Sequence, residues 1–382
     1  MGLNLKTIDP KHIHIVSFDI PYPPSYGGAI DVFYKIKELH RQGIKVHLHC
    51  FEYGRQRAKE LTEFCFEINY YPRKLKKRYL YNSLPYIVIS RSSEELVVNL
   101  IKDQFPILFE GLHCCFHLND TRLANRVKLV RMHNIEHDYY ENLANVERSF
   151  FKRLYYRAEA RKLKKFETIL HKASRILAIS KTDQAELSKR YNKVACMGPF
   201  QPNEKVQIAN GKGSFVLYHG NLEVGENNEA ALYLVNQVFN DLDIPLVIAG
   251  NKPSASLIKA SNLYKNIQLR GNISTEEIYE LIKSAQINVL PTFQATGIKL
   301  KLLAALYNGR HCIVNSPMVD QTGLESLCSI ADSPNEMKKK IQELFNTEFN
   351  EEEAARREKI LMSGFSNKKN IQELISLLDS NQ

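Results

Sequence analysis

Residues 12–51 read HIHIVSFDIPYPPSYGGAIDVFYKIKELHRQGIKVHLHCF, and their pattern sets the fold class. HIHIVSFDI (12–20) is short, apolar and β-branched, and runs into the Pro/Gly loop PYPPSYGG, which predicts a strand and a tight exit. In DVFYKIKELHRQG, Val32, Phe33, Ile36 and Leu39 recur at helical spacing until Gly43 stops them. IKVHLHCF (44–51) is a second strand. Strand, glycine loop, helix and strand form a βαβ unit, which demands a parallel sheet.

The alternation continues through PILFEG (106–111), KLVRMH (128–133) and RILAIS (175–180). It starts afresh after the polar stretch MGPFQPNEKVQIANGKG (197–213). The second set has strands at 214–220, 245–250, 267–271, 287–291 and 311–315, with helices at 228–239, 275–285 and 298–309 between them. A final amphipathic stretch, IQELISLLDSNQ, predicts a terminal helix over 366–380. Two α/β sets joined by a polar linker predict two doubly wound domains, whose ligands gather at the carboxyl ends of the strands.

The 382 residues are enough for two domains, and 44% apolar with 25% charged residues is ordinary globular composition. No apolar run approaches the ~20 residues of a membrane span, and the first residues carry no secretory pattern. Seven cysteines with no CxxC spacing fit neither a disulfide framework nor a zinc knuckle, so a reducing cytoplasm is expected. Residues 1–200 hold 34 Lys/Arg against 21 Asp/Glu, a net +13, whereas 201–382 hold 18 against 21, a net −3. A basic half suits an anionic partner: nucleic acid, a membrane surface or a phosphorylated substrate. No nucleic-acid recognition motif is present, and none is expected to bind.

Several residues stand out against this frame. Gly27 and Gly28 follow the first strand and precede a helix, where free N–H groups can meet an anion, although the pattern is not GxGxxG and a plain turn explains it equally. FEGLHCC (109–115) places Glu110 and His113 at the end of one strand, and LVRMHNIEHDYY (129–140) places His133 and Asn134 at the end of another. His133 and His137 are spaced for a metal, but HEXXH needs Glu where Asn134 stands, so no metal is expected. RKLKKR (73–78) contributes Arg73, Lys74, Lys76, Lys77 and Arg78, interleaved with tyrosines nearby, and reads as a contact for an acceptor or an anionic membrane surface. The helix SFFKRLYYRAEARKLKKFETIL (149–170) is expected to turn Phe151, Leu154, Tyr155, Ala158, Phe166 and Ile169 to the core. In PTFQATGIKLKLLAALYNG, Gly297 is expected to open a helix with Lys299 and Lys301 in its first turn, where two cations oppose the macrodipole unless an anion binds.

The two α/β halves, PPSYGG after the first strand, YHGNLEVGENNEAALYLV and VLPTFQATGIKLKLLAALYNGRHCIVN together resemble GT-B glycosyltransferases of family 4. LVRMHNIEHDYY, YYRAEARKLKKFE and ILAISKTD resemble a bacterial subgroup of surface-polysaccharide enzymes. The resemblance implies two Rossmann-like domains facing a cleft: an acceptor domain over 1–195, a donor domain over 196–350, and helices in 351–382 crossing back to the first domain. It implies retaining transfer from a UDP- or GDP-sugar to a glycan or lipid-linked acceptor, without a metal or other cofactor; the basic N-terminal half adds an expected peripheral contact with the inner membrane from the cytoplasm. Donor contacts would fall on Gly27, Gly28, Gly220, Asn221, Asn228, Thr296, Gly297, Lys299, Lys301 and Gly323, and catalysis on His113, His133 and Asn134. The family's two glutamates, eight positions apart, align with Thr296 and Ala304. That departure leaves a second reading open, a catalytically impaired relative that binds a nucleotide or glycan.

Overall fold

The computed structural model describes residues 11–147, 149–293 and 298–379, and the chain divides into two compact units. The described residues within 1–200 and from 367 on make the first, and those within 201–366 the second. Each is built on one parallel sheet.

In the first unit the strands are β1 (His12–Ser17), β2 (Lys45–Glu52), β3 (Glu67–Pro72), β4 (Ile107–Glu110), β5 (Lys128–Met132), β6 (Arg175–Ala178) and β7 (Val194–Cys196), in the order β3-β2-β1-β4-β5-β6-β7. The register pairs His12 with Lys45 and Ser17 with Cys50, so the opening βαβ unit is as the sequence predicts. Its helix, Gly27–Arg41, buries Val32, Phe33, Ile36 and Leu39, and Gly43 leaves it at a φ of 73° that favours glycine. The second unit holds β8 (Val216–His219), β9 (Leu246–Gly250), β10 (Ile267–Gly271), β11 (Ile287–Leu290), β12 (His311–Val314) and β13 (Ser329–Ile330), in the order β10-β9-β8-β11-β12-β13. Its central strands are wholly buried, the mark of a sheet covered on both faces. β8 and β9 approach so closely that a Cβ on Gly250 would lie 1.8 Å from the Gly220 carbonyl oxygen.

The strand order reverses between β1 and β4 and again between β8 and β11. Those two switch points, at the carboxyl ends, are where a doubly wound sheet opens a crevice. Strands β1, β2 and β3 are also joined by a chain of buried polar side chains. His49 meets His14 at 2.9 Å and Tyr71 Oη at 2.8 Å, and His14 Nε2 lies 3.0 Å from Asp103. Burial drives the His14 pKa down to about 4 and that of His49 well below its ordinary value. With both rings neutral, the Asp103 carboxylate requires a donor, so His14 Nε2–H donates to it. His49 Nε2–H then donates to His14 Nδ1, and Tyr71 O–H to His49 Nδ1.

Two helices differ from expectation. The helix Phe150–Phe166 buries Glu159, Ala160 and Leu163, while Phe151 and Leu154 stay 80% and 47% exposed. Glu159 turns inward because its carboxylate accepts from the Tyr86 backbone N–H at 2.6 Å and from Lys162 at 2.9 Å. Of the stretch 351–382, only the helix Asn367–Asp379 lies in the first unit, where Ile371 and Leu374 join the core. The helix Glu351–Gly364 stays in the second, with Leu361 in its core and Arg357 donating to the Gly309 carbonyl at 2.7 Å. Among the described residues, no helix is long and apolar enough to cross a membrane.

Candidate active site

At the first switch point a buried charge cluster lies beneath the ends of β4 and β5. Lys35 Nζ reaches Glu110 at 2.6 Å and Asp31 at 3.0 Å, and Arg131 Nη2 reaches Asp31 at 3.2 Å. Arg131 also donates to the carbonyls of Met197 and Gly198 at 2.6 and 3.0 Å. Burial pushes the Asp31 carboxyl up, but Arg131 and Lys35 outweigh it and hold the group well below the usual range. Burial likewise opposes Lys35 and His133 at Glu110, and the net shift is again downward. Asp31, Glu110 and His133 bring three potential ligand atoms within 4.8 Å of one another. Lys35 already bridges the two carboxylates, so the two negative charges are matched by Lys35 and Arg131.

His133, at the end of β5, rests its Nε2 on Glu110 at 2.9 Å, with Asn134 half-buried beside it. His137 turns away to Glu167 at 2.9 Å, so the two histidines do not converge. His113 sits on the 3₁₀ turn Leu112–His117, after Gly111 at a φ of 76°. Its Nδ1 is buried without a hydrogen-bond partner, 3.8 Å from Glu136 Oε1. The Phe18 ring, beyond the end of β1, lies 5.6 Å from the His113 ring and 5.5 Å from that of His133. Burial, then Arg91 and His133, hold the His113 pKa well down, and burial lifts Glu136 to about 8. At pH 7 the pair is a neutral imidazole beside a neutral carboxylic acid. Perturbed pairs of this kind concentrate at functional sites. Gly28 makes room for that Phe18 ring, since a Cβ there would stand 2.5 Å from Cζ. Gly27 is the first residue of the helix beside it.

The second switch point, at the ends of β8 and β11, is built around the helix Gly225–Tyr233. Gly220 and Asn221 form the turn after β8, where the Asn227 amide donates to the Asn221 carbonyl at 3.0 Å. Glu226 bonds the Thr292 hydroxyl and lies 3.4 Å from Lys299 Nζ. Lys301 Nζ donates to Asn227 Oδ1 at 2.8 Å and sits over the Tyr218 ring, and burial lowers its pKa to about 8. Asn228 Oδ1 and His219 Nε2 are buried without hydrogen-bond partners. The helix after β11 starts at Leu300, not at Gly297, and Lys299 is its extended N-cap. The two lysines thus reach one neighbouring helix, with Glu226 supplying an anion at the first. Thr296 and Gly297 lie outside the described residues. Ala304 is 8% exposed and belongs to the apolar cluster with Leu217 and Leu281. Gly323, at a φ of 78°, lies exposed in the loop beyond β12.

Residues 213–347 match the family described as glycosyl transferases group 1. An uncharacterised 44.6 kDa protein from the cps region of Klebsiella pneumoniae is 30% identical over 333 residues, covering 81% of this chain and 84% of that one. The chain belongs to the group 1 glycosyl transferases. The glycosyltransferase shares its fold with TarM (TM-score 0.71, 11% identity, 97% of this chain and 99% of that one), which has been solved from S. aureus. Sucrose-phosphate synthase from Thermosynechococcus elongatus superimposes with a TM-score of 0.70 at 14% identity, over 97% and 98% of the two chains. A glycosyltransferase of Rickettsia africae gives 0.65 at 14%, over 98% and 99%. These neighbours establish the GT-B fold.

The basic run 73–78 divides in two. Arg73 donates to Ser90 Oγ at 3.0 Å beneath the Tyr53 ring, and Lys74 to Ser92 Oγ at 2.9 Å, while Lys76, Lys77 and Arg78 remain exposed. The sequence pattern points to the strand ends, with Glu136 in the polar cluster after β5, but not to Asp31, Lys35, Arg131 or Glu226. A Lys35 on an apolar helix and an Arg131 inside an apolar strand were the available signals.

Proposed function

We propose that the enzyme moves a sugar, with retention of configuration, from a nucleotide-sugar to a glycan or lipid-linked acceptor in surface-polysaccharide synthesis. The observation that carries this is the neutral His113–Glu136 pair at the first switch point, in a group 1 glycosyl transferase with a relative from a cps region. TarM has been solved with UDP and alpha-GlcNAc-glycerol, which favours a UDP-sugar, with a GDP-sugar the next choice. In this reading the second unit binds the donor through Gly220, Asn221, Asn228, Lys299 and Lys301. The diphosphate takes up the acceptor proton as it leaves, and N–H groups and lysines hold its charge. No metal is required, since Lys299 and Lys301 can supply the cations. The exposed Lys76, Lys77 and Arg78 suit an anionic bilayer, at roughly 1 kcal/mol for each basic residue. Binding to anionic vesicles that survived high salt would count against that contact.

The test is a panel of nucleotide sugars, read for turnover and for binding of the matching diphosphates. One donor should be hydrolysed or transferred. Lys299→Ala should weaken binding of its nucleoside diphosphate about 10- to 150-fold, the worth of a hydrogen bond to a charged group. Binding of the bare nucleoside should be unchanged. A loss below about threefold would place the diphosphate elsewhere.

A further inference from the structure

Three arginines collect at the carboxyl end of the first sheet with little to neutralise them. Arg91 is only 6% exposed, yet its guanidinium meets backbone carbonyls alone: Phe18 at 2.9 Å from Nε and Ile87 at 2.6 Å from Nη1. Arg73 follows directly on β3, and its Nε is buried without a hydrogen-bond partner. Arg55, past the end of β2, also has a buried, unpartnered Nε, while its other nitrogens reach Ser25 and the Pro23 carbonyl. Among the described residues none of the three has a carboxylate within ion-pair distance.

The local balance is therefore positive. Asp19, after β1, shares the field of Arg55 and Arg91, but its carboxylate is engaged by the Ile20 N–H at 2.8 Å and the Tyr26 hydroxyl at 3.0 Å, and Glu136, the other acid that feels Arg91, is neutral at pH 7. Burial lowers Arg91 to about 10, and Arg73 is the next cause, so the two cations press on each other. Burying unpaired like charges is costly unless a counter-charge arrives. Guanidinium groups are the side chains best matched to phosphate, which they hold through paired N–H donors. His113, whose pKa is also lowered by Arg91 and Arg73, stands at the same strand ends.

We propose that Arg73 and Arg91, with Arg55 at the rim, form a subsite for a phosphate or diphosphate group carried by the acceptor. The assignment to the acceptor rests on the reading of the first unit given above; the anion site itself does not. The acceptor would then be a phosphorylated sugar or a lipid-linked sugar phosphate, placed with its phosphate on the arginines and its hydroxyl toward His113.

Inorganic pyrophosphate titrated into the full-length protein by calorimetry reads the subsite without turnover. Arg73→Gln should weaken the arginine-dependent binding at least tenfold, and Arg73→Lys, which keeps the charge, by much less. Arg91→Lys serves as the second variant, since its backbone contacts make removal of the charge hazardous for folding. Lys299→Ala, tested in parallel, should leave this binding in place and so separate it from the donor's diphosphate. Phosphatidylcholine vesicles with and without a polyprenyl phosphate then identify the source. Retention only on the phosphate-bearing vesicles points to a lipid-linked acceptor, and pyrophosphate binding without retention points to a soluble one. Pyrophosphate affinity within twofold of wild type in Arg73→Gln, or no binding by the wild type, overturns the subsite. A protein that bound pyrophosphate here but turned over no nucleotide sugar would sink the donor reading and leave this one standing.

Discussion

Lys35→Met should destabilise the first unit by about 3–5 kcal/mol, the cost of stripping one partner from a buried ion cluster. Lys35 is fully buried and holds Glu110 at 2.6 Å and Asp31 at 3.0 Å. Methionine fills nearly the same volume, so little of the loss would come from a cavity. What remains is Glu110, fully buried, with His133 as its other close partner, and Asp31 held by Arg131 and the Phe200 backbone N–H. Urea unfolding followed by circular dichroism should show the loss as a lower midpoint at unchanged slope. Adding Glu110→Gln should recover a large part of it, because the stranded charge has gone. A single-variant loss under about 1 kcal/mol, or no recovery in the double variant, would mean that water reaches the cluster.

That network was half visible in the sequence. Asp31 and Lys35 are four apart on a helix whose other inward positions, Glu38 apart, are apolar, and Arg131 interrupts an apolar strand. Such residues announce a buried pairing, but not with whom: Glu110 lies 75 residues from Lys35 and Arg131 lies 100 from Asp31. Strand periodicity, by contrast, is local, which is why the central strands were readable. The edge strands β3 and β7 were not, since EINYYP carries polar residues and VAC is only three residues long. The helix Phe150–Phe166 misled for a related reason. Phe166 and Ile169 of its apolar stripe pack against the core, but the Tyr86 N–H that Glu159 accepts holds that carboxylate inward and leaves Phe151 and Leu154 outside.

His113→Ala should lower turnover about 100-fold or more while leaving the melting temperature nearly unchanged. Loss of a single preorganised transition-state hydrogen bond has an effect of that size. The stability forecast follows from Nδ1, which is buried and unpartnered, so that truncation removes a group already carrying a desolvation penalty of about 1–3 kcal/mol. Glu136 gives the site its pH signature. Its pKa rises from 4.5 in the unfolded chain to about 8 in the fold, chiefly through burial. Between those values the folded state holds a proton that the unfolded state has lost, so this group's contribution to stability falls as pH rises from 4.5 to 8 and is level beyond. At pH 7 the penalty is on the order of 3 kcal/mol. Glu136→Gln keeps the neutral shape, so it should be more stable than wild type at pH 7–8 and indifferent to pH there. Turnover should follow the same proton: the wild-type rate falls above pH 8 as a carboxylate forms 3.8 Å from His113, and the Gln variant loses that fall. Wild-type turnover in His113→Ala would remove the imidazole from the mechanism. An unchanged alkaline limb in Glu136→Gln would assign that limb to another group.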